Sequence, residues 1–90
     1  MSQAPTEGTL YVQATDHAWD VSFVPNTPGL HGGSAGIHRG EGDDVLIAFL
    51  QELGIAQEQI DVGFRELRLH GNVSIHPARL SPEHIQRYGL

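Results

Sequence analysis

TLYVQATDHAWDVSFV, residues 9–24, is the stretch that decides the fold. Apolar and polar residues alternate twice within it, which is the pattern of two half-buried strands. With Asp16 and His17 as a two-residue loop, every inward residue of the first strand meets an inward residue of the second. The opposed pairs are then Leu10 with Phe23, Val12 with Val21 and Ala14 with Trp19. The sequence therefore predicts a β-hairpin with one apolar face, in which Trp19 is buried.

The residues before this hairpin contain no apolar cluster, and we expect residues 1–8 to be a disordered leader. Residues 9–90 are enough for one domain with a modest core and too few for two domains. The chain has no cysteine, which excludes disulfides, thiolate metal sites and cysteine nucleophiles. Because no apolar run reaches the roughly 18 residues of a membrane span, we expect a cytoplasmic protein with no membrane partner.

Two later segments have helix signals. Residues 43–53 place several apolar side chains on one face, and Gly54 follows where a C-terminal cap belongs. That face consists of Leu46, Phe49, Leu50 and Leu53. Residues 81–89 open with a serine cap and a proline and close with a glycine, which indicates a short helix.

The segment 57–69 fits either a helix or a strand. Three of its apolar residues have helical spacing, but Gly63 weakens a helix interior and Leu69 would face water. We favour a short helix or turn near 57–61 that is followed by a strand. A hairpin loop at 70–72 would then bring apolar residues into opposition again. The opposed pairs are Leu69 with Val73 and Leu67 with Ile75, and Asn72 takes the left-handed conformation.

These elements predict an α+β fold. We expect a small antiparallel sheet of two hairpins, packed by one buried helix and a short C-terminal helix. The alternative is a winged helix-turn-helix fold, in which 46–53 and 58–69 are the two helices and 73–75 begins a wing. Arg65 and Arg68 would then contact phosphates as in a DNA-binding transcription regulator. The formal charge of −6 opposes this alternative, so a nucleic-acid partner is not expected.

The long segment between the hairpin and the first helix is the candidate functional site. Residues 25–42 are rich in glycine and proline and have no core pattern, and such loops are usually functional or disordered. We expect a small apolar centre with a polar rim that binds another protein. The candidate partner-binding residues are Leu30, His31, Ile37, His38, Arg39, Glu41, Asp43 and Asp44. Closure of the loop over the protein's own core is the equally simple alternative for Leu30 and Ile37.

The sequence gives little support for metal binding or for catalysis. Six histidines raise the hypothesis of a His-dependent metal-binding protein, but no His-x-x-x-His pair is present, and His31 with His38 would need the loop to fold back. Ser34 lies in a Gly-x-Ser-x-Gly pattern at 32–36, but loop flexibility explains these small residues, and the spacing to His38 and Asp43 does not require a catalytic triad. We therefore expect no metal, no cofactor and no enzymatic activity.

The expected function is that of a small acidic protein-binding module, which acts as a regulator, an inhibitor or an accessory subunit through its Gly-rich loop. Acidity favours a neutral or basic protein as partner. A homodimer is compatible with the sequence.

Overall fold

The computed structural model describes residues 5–27, 32–38 and 42–90. The described elements, in chain order, are β1 (Thr6–Ala14), β2 (Ala18–Pro25), β3 (Gly33–His38), α1 (Asp43–Glu52), α2 (Gln57–His70), β4 (Asn72–Leu80) and α3 (Pro82–Tyr88). The strands form one antiparallel sheet in the order β3-β2-β1-β4, so that β3 and β4 are its edges. The predicted α+β class is confirmed.

The hairpin of β1 and β2 has the register that the alternation predicts. Leu10 lies opposite Phe23, Val12 opposite Val21 and Ala14 opposite Trp19. The N–H of Thr15 donates to the carbonyl oxygen of Ala18 at 2.8 Å, which leaves Asp16 and His17 as the two-residue turn. Trp19 is 2% exposed, as expected for the inward row.

One apolar core lies between the sheet and the helices. Leu46 and Leu50 are buried, which confirms the predicted core helix as α1. The sheet contributes Leu10, Val12, Trp19, Val21, Phe23, Ile75, Ala78 and Leu80, and the rest of the buried cluster is Leu46, Leu50, Leu53, Ile55, Ile60, Leu67 and Leu90. The other face of the sheet is uncovered where Tyr11 and Val24 lie, since both are exposed.

The C-terminal helix has the caps that its sequence predicts. The hydroxyl of Ser81 accepts from the backbone N–H of His84, and Gly89 ends α3 in the left-handed conformation. The ring of Tyr88 meets that of Phe49 edge to face, with centroids 4.9 Å apart. These contacts dock α3 on α1.

The prediction of a strand within 57–69 and a hairpin loop at 70–72 is wrong, because α2 extends from Gln57 to His70. Gly63 is buried and faces Ile75 of β4, so it lies on the packed side of the helix, and Leu69 lies in solvent at 69% exposure. Gly71, not Asn72, takes the left-handed conformation with φ 77°, and its N–H donates to the carbonyl oxygen of Leu67. The helix therefore stops there, and β4 pairs with β1 instead.

The edge strand β3 is a second departure from the sequence-based expectation, since 25–42 was expected to be a loop. The segment Gly33–His38 instead forms a strand that pairs antiparallel with β2, the strand that precedes it in the chain. The inward positions of this strand hold Gly33, Ala35 and Ile37, all half-buried. So many small residues leave no clear alternation, which is why the pattern was not visible.

The start of β1 is a smaller correction. Thr6 pairs with Leu80, so the last residues of the predicted leader belong to the sheet. Gly8 is buried there, and a Cβ on it would collide with the carbonyl oxygen of Val24. Because Gly8 has no side chain, the alternation of apolar and polar residues cannot be seen in the sequence at this position. Residues 1–4 lie outside the described residues.

The helix pair of the alternative fold is present as α1 and α2. Its wing is not, because residues 73–75 lie in β4 and pair with β1. Within the described ranges, α2 has 14 residues, and no helix there has the length and apolar character that crossing a bilayer requires.

Candidate functional site

Half of the predicted partner-binding residues can be placed. Leu30, His31, Arg39 and Glu41 lie outside the described residues. Ile37 lies opposite Trp19 and packs against the core, as in the alternative of loop closure. His38, the next residue, is exposed. Partner binding through this segment stays a prediction, and Ile37 has a structural role of its own.

The two acidic residues of the predicted site lie at the start of α1. Asp43 and Asp44 are exposed in the first helical turn, where carboxylates suit the positive end of the helix dipole. Asp43 Oδ2 accepts from Arg68 Nη2 of α2 at 3.2 Å. Asp43 therefore ties the two helices together at the surface.

The free edge of β4 presents main-chain hydrogen-bonding groups. The N–H of Ala14 donates to the carbonyl oxygen of Gly71 at 2.8 Å, so Gly71 faces β1. In an antiparallel pair, successive residues alternate between facing the partner strand and facing away from it. In the observed register, Val73 then faces β1, while Asn72 and Ser74 direct their N–H and C=O groups to the free edge.

Helix α2 lies along this edge and forms a groove with it. Gln59 Nε2 donates to the carbonyl oxygen of Pro77 at 2.9 Å, and Gly63 faces Ile75, so α2 runs antiparallel to β4. The groove has a volume of about 350 Å³. Its lining residues are Glu58, Gln59, Val62, Gly63, Glu66, Val73, Ser74, Ile75 and His76. An apolar floor therefore adjoins the unpaired edge.

The helix wall of the groove is acidic at both ends. Glu58, Val62 and Glu66 are spaced four residues apart, which places them on one side of a helix. Val62 is 55% exposed. Glu66 Oε2 lies 3.4 Å from His70 Nε2, whereas Glu58 has no ion-pair partner among the described residues. No Lys or Arg is among the described residues that line the groove.

The opposite side of α2 has a different character. A cleft of about 690 Å³ there is lined by Ile47 of α1 and by residues of α2 that include Arg65, Arg68 and the exposed Leu69. Its main chain lies within helices, where N–H and C=O groups are already paired. This cleft offers side-chain contacts, whereas the groove beside β4 offers main-chain hydrogen bonds as well.

The described histidines do not converge. No group of three or more His, Asp or Glu side chains is placed to hold a metal ion in the described part of the chain. His76 Nδ1 lies 3.0 Å from Thr9 Oγ1, and His84 Nδ1 lies 2.9 Å from Ser81 Oγ. Since His31 lies outside the described residues, the metal-binding alternative stays open as a hypothesis.

The junction of α1 and α3 holds the two titrating groups whose pKa is shifted among the described residues. A hydrogen bond to Glu52, together with desolvation, raises the pKa of Tyr88 above its ordinary value. A hydrogen bond with Tyr88, followed by the charge of Glu83, raises the pKa of Arg87. Arg87 also lies 3.5 Å from Glu52. This cluster fastens α3 to α1.

Comparison of the chain with protein-family models, curated proteins and solved structures gives no match. The groove is therefore interpreted from its own geometry. The groove was not expected from the sequence, because Val73 and Ile75 were expected to lie opposite Leu69 and Leu67 rather than opposite β1. The four-residue spacing of Glu58, Val62 and Glu66 was the available signal, and it has meaning only on a helix.

Proposed function

We propose that this chain is a non-catalytic protein-binding module that holds an extended segment of a partner protein as an additional strand on β4. The single observation that supports it is the unpaired edge of Asn72 and Ser74 beside the groove under α2. Recognition by strand addition needs both parts: the edge supplies main-chain hydrogen bonds, and an adjoining groove receives alternate side chains.

The openness of the edge supports this proposal. Exposed edge strands invite unwanted pairing, and proteins usually block them with charges, bulges, proline or a covering element. Here the bulge at 76–77 and Pro77 block only the far end of β4, where Gln59 also bonds the main chain. No described strand pairs with the outer side of the first half of β4, and α2 forms a wall beside it.

A second copy of the chain is a poorer occupant. Symmetric antiparallel pairing of β4 with itself would bring two α2 helices together on the same face of a continuous sheet. Glu58 and Glu66 of one copy would then approach the same carboxylates of the other, and like charges in an interface weaken association. The partner is therefore a different protein.

The polar groups of the described chain fit a contact surface. No polar or charged residue is buried among the described residues, so the polar groups there lie where a partner can reach them. A regulator, an inhibitor or an accessory subunit would use a module of this kind. Action in the cytoplasm remains part of the proposal.

DNA binding is the rival function, and the presence of α2 as a helix is the observation in its favour. The same helix has Glu58, Asp61 and Glu66 exposed or half-exposed along it, which would approach phosphates. We expect no salt-dependent binding of duplex DNA. Binding that is lost in Arg65→Ala or Arg68→Ala would replace the present proposal.

Selection of random 12-residue peptides displayed on phage tests the proposal. Peptides that bind should protect the amides of Asn72 and Ser74 from hydrogen exchange and shift the NMR signals of residues 58–66 and 72–76. Peptides that bind only at 33–38 or between α1 and α2 would contradict strand addition on β4. Failure to select any binding peptide would count against the proposal as well.

A further inference from the structure

We infer that the partner segment is basic, with Lys or Arg at two positions four residues apart and an apolar residue midway between them. This inference rests on the proposed function, since it names the chemistry of the strand that β4 accepts. Three features of the groove lead to it: the spacing of the residues on α2, the charge of the wall and the apolar floor.

The spacing on the helix matches that of a strand. Glu58 and Glu66 are eight residues apart on α2, which corresponds to about 12 Å along the helix axis. Four residues of an extended strand span about 13 Å. Because alternate side chains of a strand share one face, residues at positions 1, 3 and 5 of the added strand would face Glu58, Val62 and Glu66 in one direction or the other.

The charge of the wall determines the outer two positions. Of the residues that the structure describes, two carboxylates and no Lys or Arg line the groove. Glu58 lacks an ion-pair partner among the residues described, and the contact of Glu66 with His70 is an ion pair only when His70 is protonated. An incoming Lys or Arg at each outer position would satisfy both carboxylates, whereas Asp or Glu there would be repelled.

The floor of the groove determines the middle position. Val62 is more than half exposed, and the buried Ile75 and half-buried Val73 lie beside it. An apolar side chain at position 3 would cover this exposed valine and remove it from water. Gly63 adds no side chain to this floor. Basic and apolar residues therefore alternate along the segment that fits.

Exchange of the wall charges separates this inference from the proposed function. The same phage library is selected against the wild-type chain and against the double variant Glu58→Lys with Glu66→Lys, after circular dichroism has shown that the variant is folded. We expect Lys or Arg four residues apart around an apolar residue with the wild type, and Asp or Glu at the same two positions with the variant.

A single consensus from both selections, with β4 still protected, would overturn the basic motif while strand addition stands. Absence of any binding peptide would overturn both.

The affinity of a selected peptide, measured by a binding titration, gives a second test if the double-lysine variant does not fold. A peptide selected on the wild type should bind Glu58→Gln with Glu66→Gln about fivefold more weakly at low salt, which is the size expected from the loss of two exposed ion pairs. Asp61→Asn is the matched control, because Asp61 is on the same helix and lines the opposite cleft. Equal affinity for all three proteins would overturn the inference.

Discussion

A Cβ built on Gly63 of α2 would lie 3.6 Å from Cδ1 of Ile75 in β4, at ordinary van der Waals distance. The helix backbone therefore lies close to the edge strand, and the side chains next to Gly63 reach over the groove. This contact positions Val62 and Glu66 beside the unpaired edge. A glycine in a helix interior lowers stability, and this position has room for a methyl group against Ile75.

Gly63→Ala should raise the free energy of unfolding by about 0.5–1 kcal/mol, because alanine is the better helix former and its methyl group fits against Ile75. Urea unfolding followed by circular dichroism measures the change. Gly8→Ala is the contrasting variant. Its methyl group would collide with the carbonyl oxygen of Val24, so stability should fall. A loss of stability in Gly63→Ala would show that α2 is packed more closely on β4 than described.

Ile37→Ser should lower the free energy of unfolding by about 1–3 kcal/mol, because Ile37 packs against the core opposite Trp19. Ser34→Ala is the control on the same strand. Ser34 is exposed, and its replacement should change stability by less than about 0.5 kcal/mol. Unchanged stability in Ile37→Ser would contradict the core role of Ile37 and favour its predicted role in partner binding.

Tyr88 should titrate above its ordinary pKa of 10.0 in the folded protein, because Glu52 accepts a hydrogen bond from the neutral phenol and opposes the phenolate charge. In a Tyr11→Phe background, Tyr88 is the one remaining tyrosine of the chain, and phenolate absorbance reports it directly. Glu52→Ala should bring the titration midpoint down towards the ordinary value.

The same shift makes stability depend on pH in the alkaline range. A folded-state pKa above the unfolded one means that the contribution of Tyr88 is complete below the unfolded pKa and is lost as pH rises through the folded pKa. Tyr88→Phe should remove this part of the alkaline loss. An alkaline profile that is identical in Tyr88→Phe and wild type would contradict the assignment.

Zinc or nickel at modest excess should leave the melting temperature unchanged, because the described histidines are dispersed. Differential scanning calorimetry is the measurement. A saturable rise that His31→Ala or His38→Ala removes would favour the metal-binding alternative instead.

The sequence was sufficient where large side chains encode the alternation of a strand and where serine and glycine encode the caps of a helix. The register of Ala14 with Trp19 followed from two apolar rows that must share one face. The cap of Ser81 and the end at Gly89 followed from local hydrogen bonding and backbone freedom. These features depend on neighbours in the chain, so they were predictable.

The candidate site was not predictable because it depends on long-range pairing. The helix at 57–70 forms although Gly63 lies in its interior, because side chains such as Ile60 and Leu67 are buried in the core. β4 could have paired with residues before it, but it pairs with β1 from the start of the chain. The free edge exists only as a result of that pairing.

Removal of the main-chain N–H of Ser74 is the most direct test of strand addition. Ser74→Pro removes the N–H that points to the free edge and no N–H that faces β1, and proline is tolerated at such edge positions. Ser74→Ala is the matched control, since it keeps the N–H. The affinity of a peptide selected on the wild type is measured for both variants by isothermal titration calorimetry. Both variants should first have melting temperatures near that of the wild type. We predict that Ser74→Ala binds like the wild type and that Ser74→Pro binds at least about tenfold more weakly, as loss of a main-chain hydrogen bond and its neighbours implies. Equal affinity for a folded Ser74→Pro variant would contradict the account.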